Sequence, residues 1–135
     1  MQFKNYIEDL IDLSRSAERE DELLQKKYGI DSDRIVFGDP NAIKYAVAQR
    51  AEIEKIEHYL AKLPYDIVLK IETLMYFGRE PQNGTFYQWL DYFRNRNETK
   101  DEIIRTIKEK AGAYPVYFKK AIEVLESQGI DINTL

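Results

Sequence analysis

A chain of 135 residues is near the modal size of one domain and can hide roughly two-thirds of its unfolded surface in a single core. Its 20 basic and 24 acidic residues give a net charge of -4, which favours solubility and lacks the broad positive field of a duplex binder. The absence of cysteine excludes disulfides, thiol nucleophiles and thiolate metal sites.

The opening MQFKNYIEDLID places acids inside what would be the apolar run of a signal peptide, so no secretion signal and a cytoplasmic home are expected. Phe3, Ile7, Leu10, Leu13 and Ala17, then Leu23, Leu24 and Tyr28, recur at a spacing near 3.6 and predict a long amphipathic helix over 2–28. Its polar middle, Ser14 to Glu22, is expected to bend or to project from the core. Gly29 ends it, with Ile30 placed to fold back towards Leu24 in a Schellman cap. Arg34-Ile35-Val36-Phe37 is short, β-prone and bounded by turn residues, which predicts one extended connector at 34–37. Asp39-Pro40 supplies an N-cap and a first-turn proline for a second helix to about Lys62, with the stripe Ile43, Val47, Ile53, Ile56, Leu60 and Leu63.

The stretch Leu63 to Arg79 is apolar on nearly every side of a helical wheel, with only Lys70, Glu72 and Thr73 polar between Ile67 and Phe77. A helix of that kind is a buried one, and it is too short for a bilayer, which needs about twenty residues. Pro64 suits its first turn, and Gly78 reads as its left-handed C-terminal cap. Pro81 and Asn83-Gly84 then predict a turn. A fourth helix over about 85–96 puts Phe86, Trp89, Leu90 and Phe93 on one face and leaves Tyr87, Tyr92, Arg94 and Arg96 outside. Thr99 to Glu102 fits a capping box opening a fifth helix that buries Ile103, Ile104 and Ile107 and stops at Gly112. Tyr114-Pro115 opens a sixth, presenting Val116, Phe118, Ala121, Ile122 and Leu125 before Gly129, with Ile130 folding back onto Leu125. The expectation is an all-α single domain, residues 1–135, of five to six helices. The central buried helix at 64–77 is surrounded by the second, fourth, fifth and sixth, with the first along one side.

Leu74-Met75-Tyr76-Phe77-Gly78-Arg79-Glu80 resembles the L-M-W-x-G-R-G signature of an uncharacterised bacterial family of domains of unknown function. The helical pair around Gly112 to Gly129 resembles that family's C-terminal part. Tyr76 stands where the signature has Trp, and Glu80 where it has its last Gly. The resemblance implies a compact, mostly helical bacterial protein in which Gly78 and Arg79 recur as a pair, and it implies no activity. Both residues are expected to be structural, with Arg79 held by a neighbouring carboxylate at the helix end.

No catalytic, cofactor or metal site is expected. His58 is the only histidine, with Glu54 one turn away, and a metal site wants more ligands than that. Ser14, Ser16, Ser32 and Ser127 lack a nucleophile elbow, the six glycines form no phosphate loop, and Glu20-Asp21-Glu22 reads as solvating charge. The aromatic run Phe86 to Phe93 followed by Arg94 and Arg96 is the most suggestive constellation. Its inward residues suit a core, while Tyr87, Tyr92, Arg94 and Arg96 suit a protein interface better than stacked bases on an acidic chain. The expected function is a non-catalytic protein-protein interaction module, binding through that edge or through the acidic face of the first helix, with a homodimer as one form. A small regulator or inhibitor in phage defence, immunity or nucleic-acid transactions would share this composition, and an enzyme of unassigned class is the remaining alternative.

Overall fold

The structure, a computed structural model, describes residues 1–30 and 38–135, so the extended connector expected at 34–37 lies outside the described residues. Among the described residues six α-helices follow one another: α1 (Phe3–Tyr28), α2 (Pro40–Ala61), α3 (Tyr65–Arg79), α4 (Phe86–Asn95), α5 (Lys100–Glu109) and α6 (Tyr114–Ser127). Short 3-10 turns lie at Pro81–Asn83, Ala111–Ala113 and Ile132–Thr134, and among the described residues there is no strand.

Local chemistry sets most of these boundaries. Gly29 takes φ 64° beyond α1, where the Ile30 N–H donates to the Gln25 carbonyl at 2.8 Å, the closing bond of a Schellman cap. Asp39 accepts from the Asn41 N–H at 3.0 Å and Pro40 occupies the first turn of α2. Thr85 and Gln88 form a reciprocal capping box at α4, and the Thr99 hydroxyl accepts from the Glu102 N–H at α5. At the end of α6, Gly129 has φ 71° and the Ile130 N–H donates back to the Leu125 carbonyl at 2.9 Å.

Helix α3 is the post of the fold. Val68, Leu69, Ile71, Leu74, Met75 and Phe77 are buried on all its sides, between α6, α4 and α5. Contrary to the expectation that the second helix flanks the central one, α2 packs chiefly on α1 and α5 and at most marginally meets α3, because α6, α4 and α5 already enclose that helix; α1 also meets α6 and the C-terminal turn. Tyr114 is fully buried and its hydroxyl donates to the Ile107 carbonyl at 2.6 Å, tying the start of α6 to α5. Every helix contributes to one apolar cluster. Among the described residues no helix is long and apolar enough to cross a membrane.

Three further sequence expectations are corrected here. Gly78 is not a C-cap: α3 runs on through Arg79 to a cap at Glu80, and φ at Gly78 is not positive. Gly78 is buried because α6 crosses there. A Cβ at this position would lie 1.9 Å from the Tyr117 carbonyl oxygen and 3.0 Å from the Ala121 Cβ, so only a bare backbone fits. Second, the stripe of α2 is buried only at Ile56 and Leu60; Ile43 and Val47 are 58% and 67% exposed. On α1 likewise the buried positions stop at Ser14, so the outer halves of these two paired helices run beyond the core. Asp21 braces that outer pair, accepting from the Tyr45 hydroxyl and from Gln25 Nε2. Third, Val116 points to solvent at 67% exposure rather than into the core.

Candidate functional site

One groove combines volume, aromatic surface and exposed cationic groups. It holds about 450 Å³ between the C-terminal half of α3, the Pro81–Asn83 turn and the outer face of α4. Helical periodicity explains its walls. Tyr76, Arg79 and Glu80 fall on one side of α3, and Trp89, Tyr92, Phe93 and Arg96 recur at three- and four-residue steps along α4. Asn83 and Gln88 close the end near the turn.

The floor is an aromatic stack. The Tyr76 ring lies 5.1 Å from Phe93 and 6.3 Å from Trp89, the latter nearly parallel, and Trp89 meets Tyr92 edge to face at 6.2 Å. Arg96 leans over this stack, its guanidinium carbon 5.8 Å from the Tyr92 centroid and 5.9 Å from that of Phe93. Two arginines therefore border an aromatic surface. Arg79 is 43% exposed and its Nε lies 3.8 Å from Glu80 Oε1, a solvent-screened contact. Arg96 Nε approaches Glu98 Oε1 at 3.3 Å, an ion-pair distance without hydrogen-bond geometry, so the same carboxylate oxygen stays unsatisfied.

Beneath the groove lies Glu72, one turn before Tyr76 on the same side of α3. It is fully buried and neither carboxylate oxygen has a hydrogen-bond partner. Burial, reinforced by the nearby Glu98 charge and only partly offset by Arg96, pushes its carboxyl up to about 8. Glu72 is therefore mostly protonated at neutral pH. Burial also raises the Tyr76 hydroxyl above its usual range, with the Glu72 charge adding to the effect.

Of the four edge residues expected from sequence, Tyr92 and Arg96 line the groove and Tyr87 and Arg94 do not. Tyr87 is exposed and packs edge to face on Phe86. Arg94 turns to the start of α3, where its Nη2 lies 3.5 Å from Asp66 Oδ1. Asp66 also pairs with Lys70 at 3.0 Å, and that hydrogen bond leads the influences holding its carboxyl below the usual range. Arg79 enters the groove, while Gly78 faces α6. Glu72, Tyr76 and Trp89 were missed as site residues because an all-apolar helix and an inward aromatic both read as core. The usable signal was Glu72 itself, an acid in the middle of a helix with no solvated face. His58 is exposed on α2, and among the described residues no three His, Asp or Glu side chains gather as a metal site.

Compared with known proteins, the chain matches no family model, no curated protein and no solved structure.

Proposed function

We propose that this chain is a cytoplasmic, non-catalytic protein-interaction module whose docking site is the groove between α3 and α4. The observation that carries the reading is the pairing of an open aromatic floor with two exposed arginines, Arg79 and Arg96, whose carboxylate neighbours Glu80 and Glu98 lie at 3.8 and 3.3 Å without a hydrogen bond. Arginine and large aromatic side chains are the preferred anchors of protein interfaces, because they bring area and several hydrogen bonds at small entropic cost. A structural arginine would be held in a buried, bidentate pair; these two are not.

Self-association has a separate support in Ile43 and Val47, one turn apart on α2 and exposed where the α1–α2 pair outruns the core. A second copy would cover that apolar strip in the manner of a helix bundle. The test of the main reading is affinity capture from cell lysate with wild type and with Trp89→Ala and Arg96→Glu. A partner bound by wild type and lost by both variants, each with an unchanged helical spectrum, supports it. Equal capture by all three refutes the groove as the docking site.

A further inference from the structure

We infer that Arg96 is a proton-operated cover of the groove: it rests over Tyr92 and Phe93 while buried Glu72 holds a proton, and it turns down to pair with Glu72 and Glu98 when that proton leaves, baring the aromatic floor. The inference concerns the groove's own shape, so it holds whether or not a protein docks there.

The geometry starts from hydrogen bonds that are not made. Among the described residues, the buried side-chain atoms without a partner are both Glu72 oxygens, Glu98 Oε1 and Trp89 Nε1. Native folds leave few such atoms, and here three of the four belong to two acids close enough for one charge to act on the other. A carboxylate at Glu72 would give up its hydration with nothing in return, so the group holds a proton for as long as it stays unpaired. The cation able to replace that proton is already beside the second acid. Arg96 Nε lies 3.3 Å from Glu98 Oε1, yet that oxygen accepts no hydrogen bond, and the guanidinium carbon sits 5.8 Å from the Tyr92 centroid and 5.9 Å from that of Phe93. Rotation of one long side chain exchanges the two placements.

The proton decides between them. Over the rings Arg96 gains a cation–π attraction and keeps nearly half of its side chain in water. Turning inward costs hydration and gains little from a neutral Glu72. Once Glu72 is ionised, two buried acids repel each other, and the same turn answers them with charge-assisted hydrogen bonds, the kind the guanidinium fork makes best. No other cation competes for the role. Among the described residues the charges that act on Glu72 are those of Glu98 and Arg96; Tyr76 lies one turn along α3, where Arg79 acts on its hydroxyl, and no charged group of α5 or α6 acts on Glu72 although both helices enclose α3. Because burial pushes the carboxyl up to about 8, the floor is covered below that pH and bared above it.

The test is a titration of the full chain between about pH 6 and 9, a range in which ordinary carboxyls and tyrosines do not change charge. Nuclear magnetic resonance follows the Glu72 carboxyl carbon and the Arg96 Nε–H, and emission follows Trp89, the chain's only tryptophan. The carboxyl carbon should titrate near 8, not near the ordinary 4.5. Over the same range the Arg96 Nε–H should become protected from exchange and the Trp89 emission should shift. Glu72→Gln, which puts one uncharged side chain in place of another and so keeps the fold, should abolish the Arg96 and Trp89 changes. Arg96→Gln should raise the carboxyl midpoint and abolish the emission change, and Glu98→Gln should lower the midpoint, because each removes a charge of known sign. Circular dichroism should stay constant throughout. The inference is overturned by a carboxyl that titrates near its ordinary value, by a titration near 8 that leaves Arg96 and Trp89 unchanged, by the same emission change in Glu72→Gln, by midpoints that ignore both charge variants, or by helix lost together with the emission change. No partner enters these measurements, so the cover and the docking reading fail separately. A proton-linked Arg96 with no groove-dependent capture leaves the cover standing, and groove-dependent capture with an unmoved Arg96 leaves the docking site standing.

Discussion

Replacing Gly78 by alanine tests the packing of α3 through the sign of the effect. At an unobstructed position inside a helix the change gains about 1 kcal/mol, because alanine restricts the unfolded chain and favours helical backbone. At Gly78 the new methyl would sit 1.9 Å from the Tyr117 carbonyl oxygen. Even close carbon-oxygen contacts keep about 3.3 Å, so α3 and α6 would have to part by roughly an ångström or more. The obstacle is backbone inside a helix and cannot rotate aside as a side chain can. It also lies in the most extensive helix-helix contact of the fold. Overpacking costs about 1 to 3 kcal/mol and occasionally more; a clash this severe belongs at the top of that range, which leaves a net loss of about 2 kcal/mol. For a chain of this size that lowers Tm by roughly 6 to 10 °C. Thermal melts followed by circular dichroism would measure it, with Gly112→Ala as the control, since a Cβ at Gly112 meets nothing within 4 Å. A Gly78→Ala protein that melts at or above the wild-type temperature would refute the close crossing.

Glu72→Gln should stabilise the chain increasingly with pH. The folded carboxyl keeps its proton up to about 8 whereas the unfolded one loses it near 4.5, so between those values the folded state binds more protons and wild-type stability falls as pH rises. At about 1.4 kcal/mol per unit the advantage of the amide is at most about 3 kcal/mol at pH 7 and below about 1 at pH 5; parallel melting profiles for the two proteins across this range would exclude a buried, proton-bearing Glu72. Arg79→Ala should cost less than about 1 kcal/mol, since among the described residues its ion contact is the one to Glu80 at the surface, and urea melts showing a loss of about 3 kcal/mol or more would return the residue to a structural role. Tyr114→Phe deletes one buried hydrogen bond to Ile107 and should cost about 1 kcal/mol in the same urea assay, with an unchanged midpoint counting against that bond.

Helix starts and stops were legible because they depend on neighbours in sequence. Asp39 and Pro40, Thr85 with Gln88, and Gly29 and Gly129 each satisfy backbone groups only a few residues away. The central place of α3 was legible for a related reason: a helix without a solvated face has to be enclosed. What was not legible depends on which helix arrives from far along the chain. A glycine after a long apolar run reads as a cap, and only the approach of Tyr117, 39 positions later, makes Gly78 a crossing point instead. The stripe at Ile43 and Val47 has the right period, but period does not reveal that α2 extends past the body it packs on. The groove was half legible. The exposed arginines and tyrosines of α4 could be named, but not the turn of α3 that would face them, which split Arg96 from Arg94 and joined it to Arg79.

The stretch around Gly78 and Arg79 then has a physical division of labour. At 100° per residue, Glu72, Tyr76 and Arg79 fall within about 60° of one another on α3, and Gly78 points roughly 100° or more away from each of them. One side of the helix is pressed against α6 with no side chain between the backbones, which fixes its depth and rotation. That fixed rotation aims the other side at α4, where an acid is buried, a tyrosine forms the floor and an arginine reaches the rim. A side chain at Gly78 would therefore do more than loosen the core: by lifting α3 off α6 it would turn Tyr76 and Arg79 relative to Trp89 and Arg96. A glycine with no ligand contact and an arginine with little structural contact thus depend on each other through the orientation of a single helix.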